Sequence, residues 1–263
     1  MIIISRDFHK FYLSCLVINI SNISMEYLIL IRHGQSTWNQ QKRFTGWVDV
    51  ELTDKGRAEA KKAGELIKEK KIKFNSFYSS YQKRANDTLK IVMKELNENE
   101  NLIIKKWQLN ERHYGELTGL NKEDMKKKYG EEIIHKFRRS WDIKPGVLDK
   151  KSPYHPLNIE TYKNIPVSDI PDTESLKETH KRVVNCYNDL ILKDLQNGKN
   201  VCISAHGNSL RALCKYLFKI NEKEISKMEI PTANPLLISF SDSLRISSAK
   251  YLDQVRAKNL IAF

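Results

Sequence analysis

The sequence predicts an α/β fold: a three-layer, open and mostly parallel sheet with helices on both faces. Three observations carry this. Short, nearly all-apolar runs occur at Glu26–Ile31 (EYLILI) and Asn200–Ala205 (NVCISA), as strands buried on both faces require. Amphipathic helical segments alternate with the strand-like runs. The chain has 263 residues, 40% of them hydrophobic, which suits one ordinary core.

Taken in order, residues 1–24 stand apart. Their apolar stretch, Phe11–Ile20, is too short to span a bilayer and no A-x-A-like cleavage site follows it. Met25 directly precedes the first strand. Residues 1–24 are therefore read as an extension, from a start placed upstream or a leader, and 25–263 as one domain. Thr53 caps a helix that runs to about Lys70, with Ala60, Ala63, Leu66 and Ile67 on one face. Phe74–Tyr78 is the second strand. Gln82–Leu96 is a helix with Leu89, Val92, Met93 and Leu96 inward. Leu102–Trp107 is the third strand. Asn121–Tyr129 and Glu131–Trp141 form two short basic helices divided by Gly130.

Pro145, Pro153, Pro156, Pro166 and Pro171 crowd residues 142–172. That segment reads as an irregular excursion, a lid or a long loop. A long helix, Thr173–Gln196, carries Leu176, Val183, Val184, Tyr187 and Leu190 inward and stops at Gly198. Asn208–Phe218 is the helix after the NVCISA strand. Leu236–Phe240 and Ile246–Tyr251 are late strands at a sheet edge.

The formal net charge is +13. Such a balance suits nucleic acid, an acidic membrane, a small polyanion or a lysine-coated surface. No RNP, zinc-finger or helix-turn-helix signature supports nucleic acid, and no membrane-spanning run is present. Cys15, Cys186, Cys202 and Cys214 are scattered without a C-x-x-C pair. That argues against a disulfide framework or a thiolate metal site, and for a reducing, cytoplasmic compartment.

Two segments share one design. Ile31-Arg32-His33-Gly34-Gln35-Ser36 follows the first strand, and Ser204-Ala205-His206-Gly207-Asn208-Ser209 follows the NVCISA strand. Ligands of open α/β sheets bind beyond the carboxyl ends of strands, so the two histidines can converge. A helix starting at Asn208 would point free N–H groups into the same pocket and favour an anion. Imidazole is a competent nucleophile near neutral pH. Arginine matches phosphate oxygens with a two-pronged donor set. The pattern therefore points to phosphoryl transfer. Read alone, Glu111-Arg112 could equally be a surface ion pair, the loop at Gly46 turns backbone N–H groups toward phosphate with a plain turn as the lesser reading, and Arg138-Arg139 reads as a solvated basic face.

RHGQSTWN (Arg32–Asn39), FTGW (Phe44–Trp47), ERHYG (Glu111–Gly115), GLNK (Gly119–Lys122), RRSWD (Arg138–Asp142) and HGNSLR (His206–Arg211) together resemble the 2,3-bisphosphoglycerate-dependent phosphoglycerate mutases. These belong to the histidine phosphatase, or phosphoglycerate mutase-like, superfamily. The likeness runs from about Glu26 to about Leu252. It implies a phosphoglycerate mutase-like fold and interconversion of 3-phosphoglycerate and 2-phosphoglycerate in glycolysis and gluconeogenesis. Bound 2,3-bisphosphoglycerate would be the primer, and no metal is required. A bisphosphoglycerate mutase/phosphatase or a broader histidine phosphatase is the alternative. By position, the resemblance makes His33 the nucleophile and Glu111 the proton donor and acceptor. Arg32, Arg84 and His206 would hold the transferring group. Ser36, Asn39, Thr45, Gly46, Gly207 and Asn208 would line the phosphate pocket. Arg112, His113, Tyr114, Lys122, Arg138 and Arg139 would contact the rest of the substrate. Relatives are commonly dimers, so a homodimer is expected. Gln35 stands where the family motif usually has Glu, and Thr118 replaces a frequent Gln.

Overall fold

The structure is a computed structural model, and residues 25–257 of it are described. Cys15 and the extension at 1–24 lie outside the described residues. The chain forms β1 (Tyr27–Arg32), α1 (Thr37–Gln40), α2 (Asp54–Lys68), β2 (Ser76–Ser79), α3 (Lys83–Glu95) and β3 (Ile103–Lys105). Then come α4 (Lys122–Tyr129), α5 (Glu131–Arg139), α6 (Leu176–Cys186), α7 (Leu192–Gln196), β4 (Val201–Ala205) and α8 (Gly207–Leu217). The last elements are α9 (Glu222–Ile225), β5 (Leu236–Phe240), β6 (Ile246–Tyr251) and α10 (Gln254–Ala257).

One six-stranded sheet runs in the order β3-β2-β4-β1-β5-β6. The β3/β2, β2/β4 and β4/β1 pairs are parallel, and β5 and β6 close the far side antiparallel. Side chains of β1 alternate between the two faces, as the pleat dictates. Leu28 and Leu30 join one core with Leu176, Val183, Leu210 and Leu213, from α6 and α8. Ile29 and Ile31 join the other with Ala63, Ile67, Leu89 and Val92, from α2 and α3. These are the three layers expected.

The differences are local. β1 extends one residue further, because Arg32 pairs with Ala205. β2 starts at Ser76, and Phe74 is buried in the core without joining the sheet. β3 shrinks to three residues between 3₁₀ turns at Glu100–Leu102 and Trp107–Leu109. The long helix begins at Leu176, where Ser175 and Glu178 cap each other reciprocally, and a π-turn at Tyr187–Ile191 joins α6 to α7. Thr53 caps α2 as expected, accepting the Gly56 N–H at 3.0 Å. Residues 142–172 hold 3₁₀ turns at Pro156–Asn158, Glu160–Tyr162 and Val167–Asp169. Tyr162 and Ile165 bury themselves against Trp47, which fixes this segment to the loop after α1.

Candidate active site

Strands β1 and β4 are paired neighbours, so the residues that follow them stand side by side. The His33 N–H donates to Ala205 O at 3.0 Å, and the rings of His33 and His206 lie 5.0 Å apart. Both are buried. His33 Nδ1 is 2.7 Å from Gly34 O. A carbonyl only accepts, so Nδ1 carries the hydrogen and Nε2 keeps its lone pair. Arg84 Nε faces that lone pair at 3.4 Å. Burial, then the Arg84 and Arg32 charges, hold His33 well below the usual imidazole range, against the pull of the Gly34 carbonyl. The result is a neutral, oriented nucleophile. Burial and then the Arg84 charge likewise depress His206. Its Nε2 pairs with Ser80 Oγ at 2.8 Å, and its buried Nδ1 has no partner.

The surrounding loops are fixed by backbone contacts. A Cβ on Gly34 would fall 2.2 Å from Gly56 O, so the first turn of α2 presses on the loop that carries His33. Gly46 has φ +54°, a conformation that disfavours residues with a side chain. Its carbonyl accepts Arg84 Nη2 at 2.9 Å and Gln82 Nε2 at 2.8 Å. Arg84 Nη1 goes to Val48 O at 2.9 Å, so this guanidinium is aimed rigidly. Gln82 Oε1 in turn accepts the Glu111 N–H at 2.9 Å.

Glu111 sits at the N-terminus of α8. Its Oε1 accepts the Arg112 N–H at 2.8 Å and the Asn208 N–H at 3.1 Å. The anion expected on that helix end is thus a carboxylate of the chain itself. A buried ion pair holds the backbone here. Glu174 accepts Arg182 Nε at 2.7 Å and the His113 N–H at 2.8 Å. Arg182 also donates to the carbonyls of Gln108, Asn110 and Glu111 at 2.6, 2.8 and 3.0 Å.

His33, Glu111 and the cations border one cavity. Arg32, His33, Asn39, Thr45, Gly46, Arg84, Glu111, Tyr114, Lys122, Arg138, Arg139, Gly207 and Asn208 line it. So do Arg211, Glu229 and Ile230, which sequence reasoning missed. Arg32 Nη1 is tied to Ile230 O at 2.7 Å, while its buried Nε has no partner. Burial pushes Lys122 down to about 8, with Tyr114 opposing and Arg138 and Arg32 adding to the fall. Arg211 is pushed to about 9 by burial and then by Arg139 and Arg112. Arg211 holds Asn208 Oδ1 at 2.9 Å and Arg139 O at 3.1 Å, and Asn208 Nδ2 reaches Tyr114 Oη at 3.0 Å. One signal for Arg211 existed, its i+3 spacing from Asn208 on α8. Glu229 had none.

Four expected site residues do not line the cavity. His206 is not in the lining, although its ring lies 5.0 Å from that of His33. Ser36 caps α1, accepting the Asn39 N–H at 3.3 Å. Arg112 turns under the Tyr114 ring, 4.8 Å from its centre, and donates to Phe137 O. The His113 side chain points away toward His155, and its Nδ1 accepts the Gly115 N–H at 3.0 Å. Gln35 is also absent from the lining. It accepts Thr53 Oγ1 at 3.0 Å, so its amide serves the α2 cap. Among the described residues no three His, Cys, Asp or Glu cluster as metal ligands, and no helix is long and apolar enough to cross a membrane.

A profile of the histidine phosphatase superfamily (branch 1) matches residues 28–154 and 149–246. The 2,3-bisphosphoglycerate-dependent phosphoglycerate mutase of Pelagibacter ubique is 60% identical over 239 residues, covering 91% of this chain and 100% of that one. The enzyme of the same name from Borreliella burgdorferi is 45% identical over 228 residues, covering 87% of this chain and 92% of that one. Among solved structures, a mycobacterial glucosyl-3-phosphoglycerate phosphatase in complex with VO3 superposes with a TM-score of 0.64 at 20% identity, covering 86% of this chain and 97% of that chain. At that identity the likeness concerns the fold alone.

Proposed function

The chain belongs to the histidine phosphatase superfamily and, within it, to the 2,3-bisphosphoglycerate-dependent phosphoglycerate mutases, and from its geometry we infer which residues perform the reaction. The activity is the interconversion of 3-phosphoglycerate and 2-phosphoglycerate, an isomerisation in glycolysis and gluconeogenesis. His33 is the phosphoryl carrier, and the observation that carries this is its fixed tautomer. Nδ1–H is spent on Gly34 O, and Nε2 faces Arg84 in a pocket walled by arginines.

The donor set fits a multiply phosphorylated primer. Arg32 Nε and Arg211 Nε are buried without partners, and unpartnered buried donors are costly unless an anion satisfies them. When bound, 2,3-bisphosphoglycerate supplies the phosphoryl group that loads His33. Arg32 and Arg84 hold the transferring group at its equatorial oxygens, and His206, beside His33, stabilises the charge that develops there. Phospho-His33 passes its phosphoryl group to the free hydroxyl of the substrate, and Glu111 takes the hydroxyl proton. A P–O bond forms as the P–N bond breaks. His33 then accepts the phosphoryl group from the neighbouring oxygen, to which Glu111 returns the proton. Lys122, Arg138 and Arg139 bind the substrate's remaining anionic groups. We place the enzyme in the cytoplasm as a homodimer. Its described cysteines, Cys186, Cys202 and Cys214, are free and buried, which suits a reducing compartment.

The test is transfer of labelled phosphate from 2,3-bisphosphoglycerate. Acid-labile label should appear on wild-type protein, be absent from His33→Ala, and chase into phosphoglycerate when substrate is added. Label on His33 that leaves only as inorganic phosphate would instead make the chain a phosphatase.

A further inference from the structure

The cavity holds a second carboxylate that the reaction does not use. Glu229 lies on the rim between two buried anchors, Met228 and Ile230. Ile230 is tied down by Arg32 through its carbonyl. The backbone of Glu229 is thus fixed, while its side chain is 53% exposed. It forms an ion pair with Arg139, itself only 17% exposed. Burial lowers Arg32, Arg138 and Arg211, while the Glu229 charge pulls each of them back up. Its field therefore reaches all the arginines at this end of the cavity.

We propose that Glu229 is a displaceable counter-ion: it occupies Arg139 before substrate binds, competes with the substrate's anionic group for that guanidinium, and so sets affinity and release. This rests on the assignment of Arg139 to substrate binding made above. A pocket of this charge would otherwise hold a polyanion tightly. A mutase must let go of its product, and a half-exposed carboxylate lowers the barrier to release by rebinding Arg139 as the product leaves. A carboxylate that merely props Arg139 in place would act in the opposite direction, because its removal would weaken binding.

The direction of the effect decides. Calorimetric titrations with 3-phosphoglycerate and with pyrophosphate compare wild type, Glu229→Gln and Glu229→Ala. Both variants should bind about two- to fivefold more tightly, the range of a partly exposed ion pair, and KM should fall in step. In an Arg139→Gln background the gain should vanish. Equal or weaker binding by both variants overturns the proposal, as does a gain that persists without Arg139. Pyrophosphate separates the two claims. A tighter pyrophosphate complex in a protein that does not isomerise phosphoglycerate upholds the counter-ion and removes the mutase assignment. Normal isomerisation with unchanged affinities does the reverse.

Discussion

The Asn208 amide donates to Glu111 Oε1 at 3.1 Å, which seats the proton-handling carboxylate on the first turn of α8. The Arg112 amide holds the same oxygen at 2.8 Å. Oε1 is thereby engaged, and Oε2 is left to exchange the proton. Oε2 also lies 3.8 Å from where a Cβ on Gly207 would sit, so the helix approaches this oxygen closely.

Glu111→Gln should keep the fold and lose the chemistry. The amide oxygen can still accept both N–H groups, but it cannot carry a proton. We expect kcat to fall about 10²- to 10⁴-fold with KM little changed and the melting temperature nearly unchanged. Steady-state kinetics beside a thermal melt check both. A variant with near-normal kcat would remove Glu111 from proton transfer.

Stability should fall with acidification. Burial foremost holds His33 and His206 well below the usual imidazole range and lowers His113 to about 3. In the unfolded chain each would take a proton near pH 6.5. Below that pH the unfolded state binds more protons, so stability drops as pH falls and is fully present above it. Each histidine contributes about 1.4 kcal/mol per pH unit in that window. Urea midpoints at pH 7.5 and 5.5 measure this. A midpoint that stays level or rises at pH 5.5 contradicts it. The acid limb of kcat/KM should also lie below pH 6.5, because His33 remains a free base there.

Much of this was legible in the sequence. The convergence of His33 and His206 followed from two apolar runs ending in the same His-Gly pattern. The Thr53 cap and the apolar face of α2 followed from spacing. What escaped has physical causes. Consecutive residues of an irregular chain cannot all face one pocket, so Glu111 and Tyr114 enter it while Arg112 and His113 turn away. Ser36 was within reach, but its hydroxyl is taken by the cap of α1. Glu229 arrives on an aperiodic connection between α9 and β5, where no pattern announces which side chain points inward.

The Glu174–Arg182 pair should act on both stability and rate. It lies in the core, with the two side chains 5% and 9% exposed, and Arg182 grips three carbonyls leading up to Glu111. Arg182→Met leaves Glu174 buried and uncompensated, at a cost of about 3–5 kcal/mol. Arg182→Met/Glu174→Met should recover part of that stability but not the rate, since Glu111 has still lost its backbone anchor. Urea unfolding and kcat are the two readouts. Recovery of both by the double variant would show that the pair does not position Glu111.

The most direct measurement is turnover of 3-phosphoglycerate to 2-phosphoglycerate by one preparation, with and without 2,3-bisphosphoglycerate. The primer should raise the rate severalfold or more, and His33→Ala should show no turnover in either condition. Isomerisation that ignores the primer and survives in His33→Ala would contradict His33 as the phosphoryl carrier.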